Sequence, residues 1–261
     1  MTSDNQSKAD RSSRQAKIDA AGPKPSKARP VLIATVVLVT LLALGAAVFF
    51  GSRSSAPDAS PAASGSADYP PSATGAEGGI SVNADKVQEN TPRLDVYEDF
   101  QCPACQQIER ALGPTIKQMA DAGEVQVVYH IKTFLDANLR NDASMRASIG
   151  AACADDAGRF QAYHDQVYGN PPAQEGQGWT DEQLQQFAGS AGLSGQALTT
   201  WQQCTAQKKY EAYFQRVEEA TARDGITSTP SFRVNGKDFK LDEQQVSSAA
   251  DFRTKVLAAA K

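Results

Sequence analysis

The chain has 261 residues, is 41% apolar and 21% charged, and carries a formal net charge of −4. It is too apolar for a wholly disordered protein and long enough for one domain with appendages. Residues 1–30 hold seven Lys/Arg against three Asp/Glu, whereas residues 80–261 hold 18 against 24; so acidic a globular part, with no basic run, argues against a nucleic-acid partner.

Residues 1–30 are polar, basic and Pro-containing, with no apolar period, and are read as a disordered cytoplasmic tail. Residues 31–50, VLIATVVLVTLLALGAAVFF, contain no charge. Twenty residues at 1.5 Å rise span roughly 30 Å, the thickness of a bilayer's hydrocarbon core. Lys24, Lys27 and Arg29 precede the stretch and only Arg53 follows closely, so the N-terminus is expected inside and the rest outside. The competing reading, a cleaved signal peptide, would have a shorter apolar region of about 7–15 residues. Either way residues 51–261 are exported. Residues 51–79 are almost entirely Gly, Ser, Ala and Pro and read as a flexible linker with a reach of roughly 30 Å.

In the head, residues 80–261, the apolar-rich run Leu94–Phe100 predicts a strand that ends at the first cysteine. Ile108, Leu112, Ile116 and Met119 recur at three- and four-residue steps, predicting a helix from Cys102 to Ala122 stopped by Gly123. Val125, Val127, Tyr129 and Ile131 alternate as in a strand. The stretch at about 138–224 is helical, with Thr180 and Gln183 forming a capping box. Phe232 and Val234 then lie on a strand, Asn235-Gly236 forms a two-residue hairpin turn, and Phe239 and Leu241 fall on the return strand. Asp242 with Gln245 is expected to cap a last helix. The order is βαβ, a helical insertion, then ββα.

The chemistry lies in Cys102-Pro-Ala-Cys105. At a helix start, unpaired backbone N–H groups and the helix dipole stabilise a Cys102 thiolate. Pro103 suits the first helical turn, where its missing N–H would have had no partner. A stabilised thiolate is a good leaving group, so a Cys102–Cys105 disulfide can oxidise other thiols, with Cys105 as the buried, resolving partner. Half a zinc site would need a second ligand pair; Cys153 and Cys204 are in no C-x-x-C and beside no His, and neither metal nor cofactor is expected. An inert structural disulfide is the remaining alternative. Thr229-Pro230 stands at a strand entry, where proline is awkward. A cis bond there would bring the Thr229 backbone beside Cys102, where it could offer its N–H and C=O to an extended peptide; the alternative is an ordinary trans proline at a strand edge.

DFQCPAC at 99–105, the helical block and STPSFRVNG at 228–236 resemble the DsbA-type thiol-disulfide oxidoreductases of the thioredoxin superfamily, in particular membrane-anchored actinobacterial members. The resemblance covers residues 80–261. It implies an α/β thioredoxin fold with an inserted helical domain, here preceded by a single transmembrane helix. Cysteines 102 and 105 are then the redox pair, Pro230 is a cis-proline beside them, and Thr229 and Pro230 bind substrate. It also implies donation of disulfides to exported proteins with reduced cysteines, and re-oxidation by a membrane protein of the DsbB or vitamin K epoxide reductase type. Strong oxidants of the family carry His between the cysteines, where this chain has Ala104. Some relatives carry a buried carboxylate in the preceding strand; Asp95, Glu98 and Asp99 are nearby, and alternation leaves open which, if any, points inward.

Cys153 and Cys204 fall on apolar helical faces. In an oxidising compartment such a leftover even pair is expected to form a structural disulfide; the alternative is two buried thiols. His130 and His164 are read as a strand histidine and a helix-surface histidine without function. The expected activity is that of a monomeric, extracytoplasmic disulfide oxidase at the cell membrane. An isomerase or reductase of the same family, or an anchored binding module without catalysis, are the alternatives.

Overall fold

The computed structural model describes residues 68–242, 244 and 246–260. The apolar stretch 31–50, the tail and most of the linker lie outside them. Among the described residues no helix is long and apolar enough to cross a membrane.

Five strands form one sheet in the order β1-β3-β2-β4-β5: β1 (Ile80–Ser81), β2 (Arg93–Glu98), β3 (Gln126–Ile131), β4 (Ser231–Val234) and β5 (Lys237–Asp238). Strands β2 and β3 are parallel, joined by the crossover helix α1 (Pro103–Asp121); the other pairings are antiparallel. Gly123 closes α1 with φ +67°, a value that a side-chain-free residue adopts without strain. Strand β3 alternates in sequence but is buried along nearly its whole length, because helices cover both its faces. Asn235 and Gly236, at φ +50° and +76°, turn the β4–β5 hairpin.

The helical insertion lies between β3 and β4 and comprises α2 (Leu135–Leu139), α3 (Ala143–Asp155), α4 (Phe160–Gly169), α5 (Asp181–Ser190), α6 (Gly195–Ala206) and α7 (Glu211–Arg223). The Thr180–Gln183 capping box starts α5. Helix α3 is the hub: its run of Ala, Ser and Gly buries nearly every side, since small residues let neighbouring helices approach. A Cβ at Gly150 would collide with the Tyr163 hydroxyl, and the Trp201 indole donates to the Gly150 carbonyl at 2.8 Å. Cys153 of α3 and Cys204 of α6 are joined by a disulfide. Helix α8 (Ala249–Ala259) ends the fold and seats Phe252 against Phe232 and Phe239.

Three expectations are corrected. Residues 68–79, assigned to the linker, lie along the head: Ser72 N–H donates to Asp155 Oδ2 at 2.7 Å, the Tyr213 hydroxyl to Gly78 O at 2.6 Å, and Arg216 to Asp68 O and Ala76 O. The segment is held largely by its backbone groups, which a Gly/Ser/Pro composition does not reveal. The return strand stops at Asp238, although Phe239 N–H still donates to Phe232 O at 2.9 Å. The last helix is capped by Ser248, whose hydroxyl accepts from Asp251 N–H.

The Cys153–Cys204 bond closes a loop of 51 residues, which should stabilise the fold by roughly 4 kcal/mol. The double Cys153→Ala/Cys204→Ala variant is expected to melt about 10 °C lower by calorimetry, with the thiol chemistry at Cys102 retained below that temperature.

Candidate active site

Cys102 is the N-cap of α1, and Pro103 occupies its first turn. The Cys102 sulfur accepts from Cys105 N–H at 3.3 Å and lies 3.5 Å from the Thr229 carbonyl oxygen. Both cysteines carry free thiols. Cys102 is 7% exposed beside the exposed Pro103 and Ala104, while Cys105 is 1% exposed in the core. Their environments push the two thiols apart. A hydrogen bond from the Cys105 thiol is the largest influence on Cys102. Burial opposes it; the Thr229 side chain and the N–H groups of Cys105 and Ala104 reinforce it, and the pKa falls to about 6. Burial, and next the adjacent Cys102, drive Cys105 far above the ordinary thiol range.

The Thr229–Pro230 bond is cis. The Thr229 carbonyl faces the Cys102 sulfur. Beside Cys102 opens a cleft of about 170 Å³ whose lining includes Phe100, Gln106, Tyr168, Pro171 and Trp179. The structure therefore brings Cys102, Cys105, Thr229 and Pro230 together, and keeps the Cys153–Cys204 bond apart from them in the insertion.

All three carboxylates before the motif are buried: Asp95 is 4%, Glu98 1% and Asp99 0% exposed. Asp95 faces one side of the sheet, where burial is offset by His130 at 2.8 Å and by Arg93, and its pKa is lowered. Glu98 faces the other side, under α1. His164, expected on a helix surface, is instead fully buried and bonds Glu98 Oε1 through Nε2 at 2.5 Å. Burial opposes its charge, but Glu98 lifts its pKa to about 10. Asp99 accepts from Ser144 Oγ at 2.5 Å, Gln101 N–H at 2.9 Å and Leu135 N–H at 3.2 Å; burial raises it to about 7. Gln101 extends this network to Asp136 and Asn141, tying the motif's approach loop to the insertion.

Sequence reasoning missed Glu109. It shares the buried face of α1 with Cys105, Leu112 and Ile116; an acid at a core position of an apolar helical period was the available signal. Its carboxyl, with Glu98 and His164, forms the one cluster among the described residues whose atoms, all within 4.8 Å, could hold a metal. His164 Nε2 is already spent on Glu98, and the cluster reads as an ion pair beside a second carboxyl.

Residues 88–251 match the family model described as Thioredoxin. The chain belongs to the thioredoxin family. It is similar to the reduced disulfide bond oxidoreductase DsbG of Mycobacterium tuberculosis, at 27% identity and TM-score 0.57 over 69% of this chain and 86% of that one. Oxidised DsbA of the same organism matches at 27% identity and TM-score 0.57 over 70% and 92%. MdbA, a thiol-disulfide oxidoreductase from Actinomyces oris, shares the fold at 15% identity and TM-score 0.62 over 74% and 90%. No curated protein matches the chain in sequence. Within the thioredoxin family this is a DsbA-like thiol-disulfide oxidoreductase.

Two predictions follow from these environments. The thiolate absorbance of the reduced protein should titrate with a midpoint near 6, the Cys102 value, and Cys102→Ser should remove that transition; a midpoint at the free-thiol value would contradict the helix-cap account. His164 is raised from 6.5 to about 10 on folding. A raised base stabilises the fold fully below its unfolded value and loses that contribution as pH climbs through the folded one. Denaturant melts should therefore show stability falling from neutral pH toward pH 10, and Glu98→Gln, which leaves His164 buried without its counter-charge, should cost about 3–5 kcal/mol.

Proposed function

We propose that this thiol-disulfide oxidoreductase acts as an oxidase, donating the Cys102–Cys105 disulfide to exported proteins. The observation that carries the reading is the opposed state of the two thiols. A substrate thiolate attacks Cys102, the Cys102–Cys105 bond breaks, and a mixed disulfide forms. A second substrate thiolate then attacks the substrate sulfur of that bond, and Cys102 leaves as a thiolate. A leaving group whose pKa is about 6 favours that release over the return reaction. The Thr229 carbonyl beside Cys102 supports docking of an extended substrate strand across Thr229-Pro230.

The uncharged stretch 31–50 supports a single-pass anchor, with the head on the extracytoplasmic side. The reduced pair then returns to the disulfide through a membrane protein of the DsbB or vitamin K epoxide reductase type, and the head acts as a monomer.

Oxidative refolding of a reduced, unfolded substrate tests the assignment. Cys102→Ser should abolish turnover. Cys105→Ser should accumulate mixed disulfides visible on non-reducing gels, because Cys102 still reacts while nothing resolves it. Equal residual turnover in the two variants would refute the assignment.

A further inference from the structure

Cys102 forms part of the wall of a cleft of about 170 Å³ that opens toward the helical insertion. Its other walls include Phe100 after β2, Tyr168 of α4, and Pro171 and Trp179 from the segment between α4 and α5. Thr229, whose carbonyl adjoins the same sulfur, and Pro230 are not part of that lining. The walls are fixed before anything binds. The Phe100 and Tyr168 rings stand 5.1 Å apart, and the Trp179 indole N–H donates to Asn170 O at 2.7 Å. The cleft is smaller than the roughly 300–1,000 Å³ of a typical small-molecule site. It suits one side chain of a polypeptide whose cysteine is already at Cys102.

Gln106 supplies the cleft's polar group. It follows Cys102 by four residues on α1, a spacing that puts the two side chains on one face of the helix. Its Nε2 is buried without a hydrogen-bond partner, an unfavourable state for an amide donor. No hydrogen bond holds that nitrogen, and the terminal torsion of glutamine is soft, so the amide can turn to an acceptor that enters the cleft. Aromatic and proline walls with one unpaired donor match a flat apolar ring that carries an acceptor. Among aromatic side chains the tyrosine phenol meets both conditions; phenylalanine has no polar atom and the indole of tryptophan only donates.

We propose that this cleft is a specificity pocket for a tyrosine side chain of the substrate, with Gln106 donating to the phenol oxygen. The inference rests on the oxidoreductase reading and deepens it by naming a substrate feature. In an extended strand the side chains on the face of the reacting cysteine are those two positions away, about 7 Å along the chain. The favoured tyrosine therefore stands two residues before or after the cysteine that attacks Cys102. The other side of that cysteine's backbone remains free to meet Thr229.

Peptides with one central cysteine, glycine on either side of it, and Tyr, Phe or Ala at both second positions test the pocket. Each is mixed in excess with the oxidised full-length protein in detergent, and the second-order rate of opening of the Cys102–Cys105 bond is measured. In the wild type Phe should exceed Ala by on the order of 10-fold, from partial burial of the ring. Tyr should exceed Phe by roughly 5-fold, the size of one neutral hydrogen bond. Gln106→Met keeps the length of the side chain and removes the donor, so its Tyr-to-Phe ratio should fall to about 1. A wild type that does not prefer Tyr to Phe, or a preference that Gln106→Met leaves intact, would overturn the proposal alone. A wild-type disulfide that none of the peptides opens would overturn the oxidoreductase reading with it. Should the variant not fold, nitrogen-15 spectra of the wild-type Gln106 side-chain amide decide. Its signal should move with the Tyr peptide far more than with the Phe peptide; equal movement with both overturns the pocket.

Discussion

Everything at this site depends on where α1 begins. Cys102 is the last residue before the helix and Cys105 the first one turned into the core. Two thiols three residues apart thus receive opposite treatment. One sulfur sits among N–H groups that have no helical partner, which favours its anion; the other is cut off from water, which disfavours it. Had the helix begun one turn earlier, both sulfurs would lie along its side and neither would be set apart. Thr229 and Pro230, reached by the chain only after the whole insertion, complete the sulfur's surroundings from the β4 side.

A second constraint is burial of charge at the same end of the sheet. An unpaired ion there would cost several kcal/mol. Three such groups draw partners from the insertion: Glu98 from His164 of α4, Asp99 from Ser144 of α3 and Leu135 of α2, and Lys132 from Glu218 and Thr221 of α7. The helical insertion is therefore more than a lid on the thioredoxin core. It supplies the counter-charges and hydrogen bonds that allow acidic residues to lie directly beneath a redox pair. Displacing it would leave those groups unpaired, which is a physical reason for α3 to be cross-linked to α6 and for the segment 68–79 to be hydrogen-bonded to α3 and α7.

Much of this was legible in the chain alone. Helix α1, its N-terminal cysteines, the Asn235-Gly236 hairpin and the Thr180 capping box are local: each is decided by residues within one or two turns, and periodicity or turn chemistry reports them directly. The Cys-Pro-Ala-Cys motif was readable for the same reason, since a helix start creates its own electrostatics. The order βαβ, helices, ββα followed from those elements in sequence.

The tertiary structure alone decided what depends on long-range neighbours. Alternation could not say which of Asp95, Glu98 and Asp99 points inward, because β2 is buried along nearly its whole length and all three acids are buried. His164 is polar and looks like a surface residue of α4 until Glu98, 66 positions earlier, is placed against it. Glu109 interrupts an apolar stripe for a reason visible only once Glu98 and His164 face it. Residues 68–79 bind the head largely through backbone groups, which leave no trace in composition. Local chemistry is written in neighbouring residues; the pairing of buried charges is written in the packing of elements that the chain brings together from far apart.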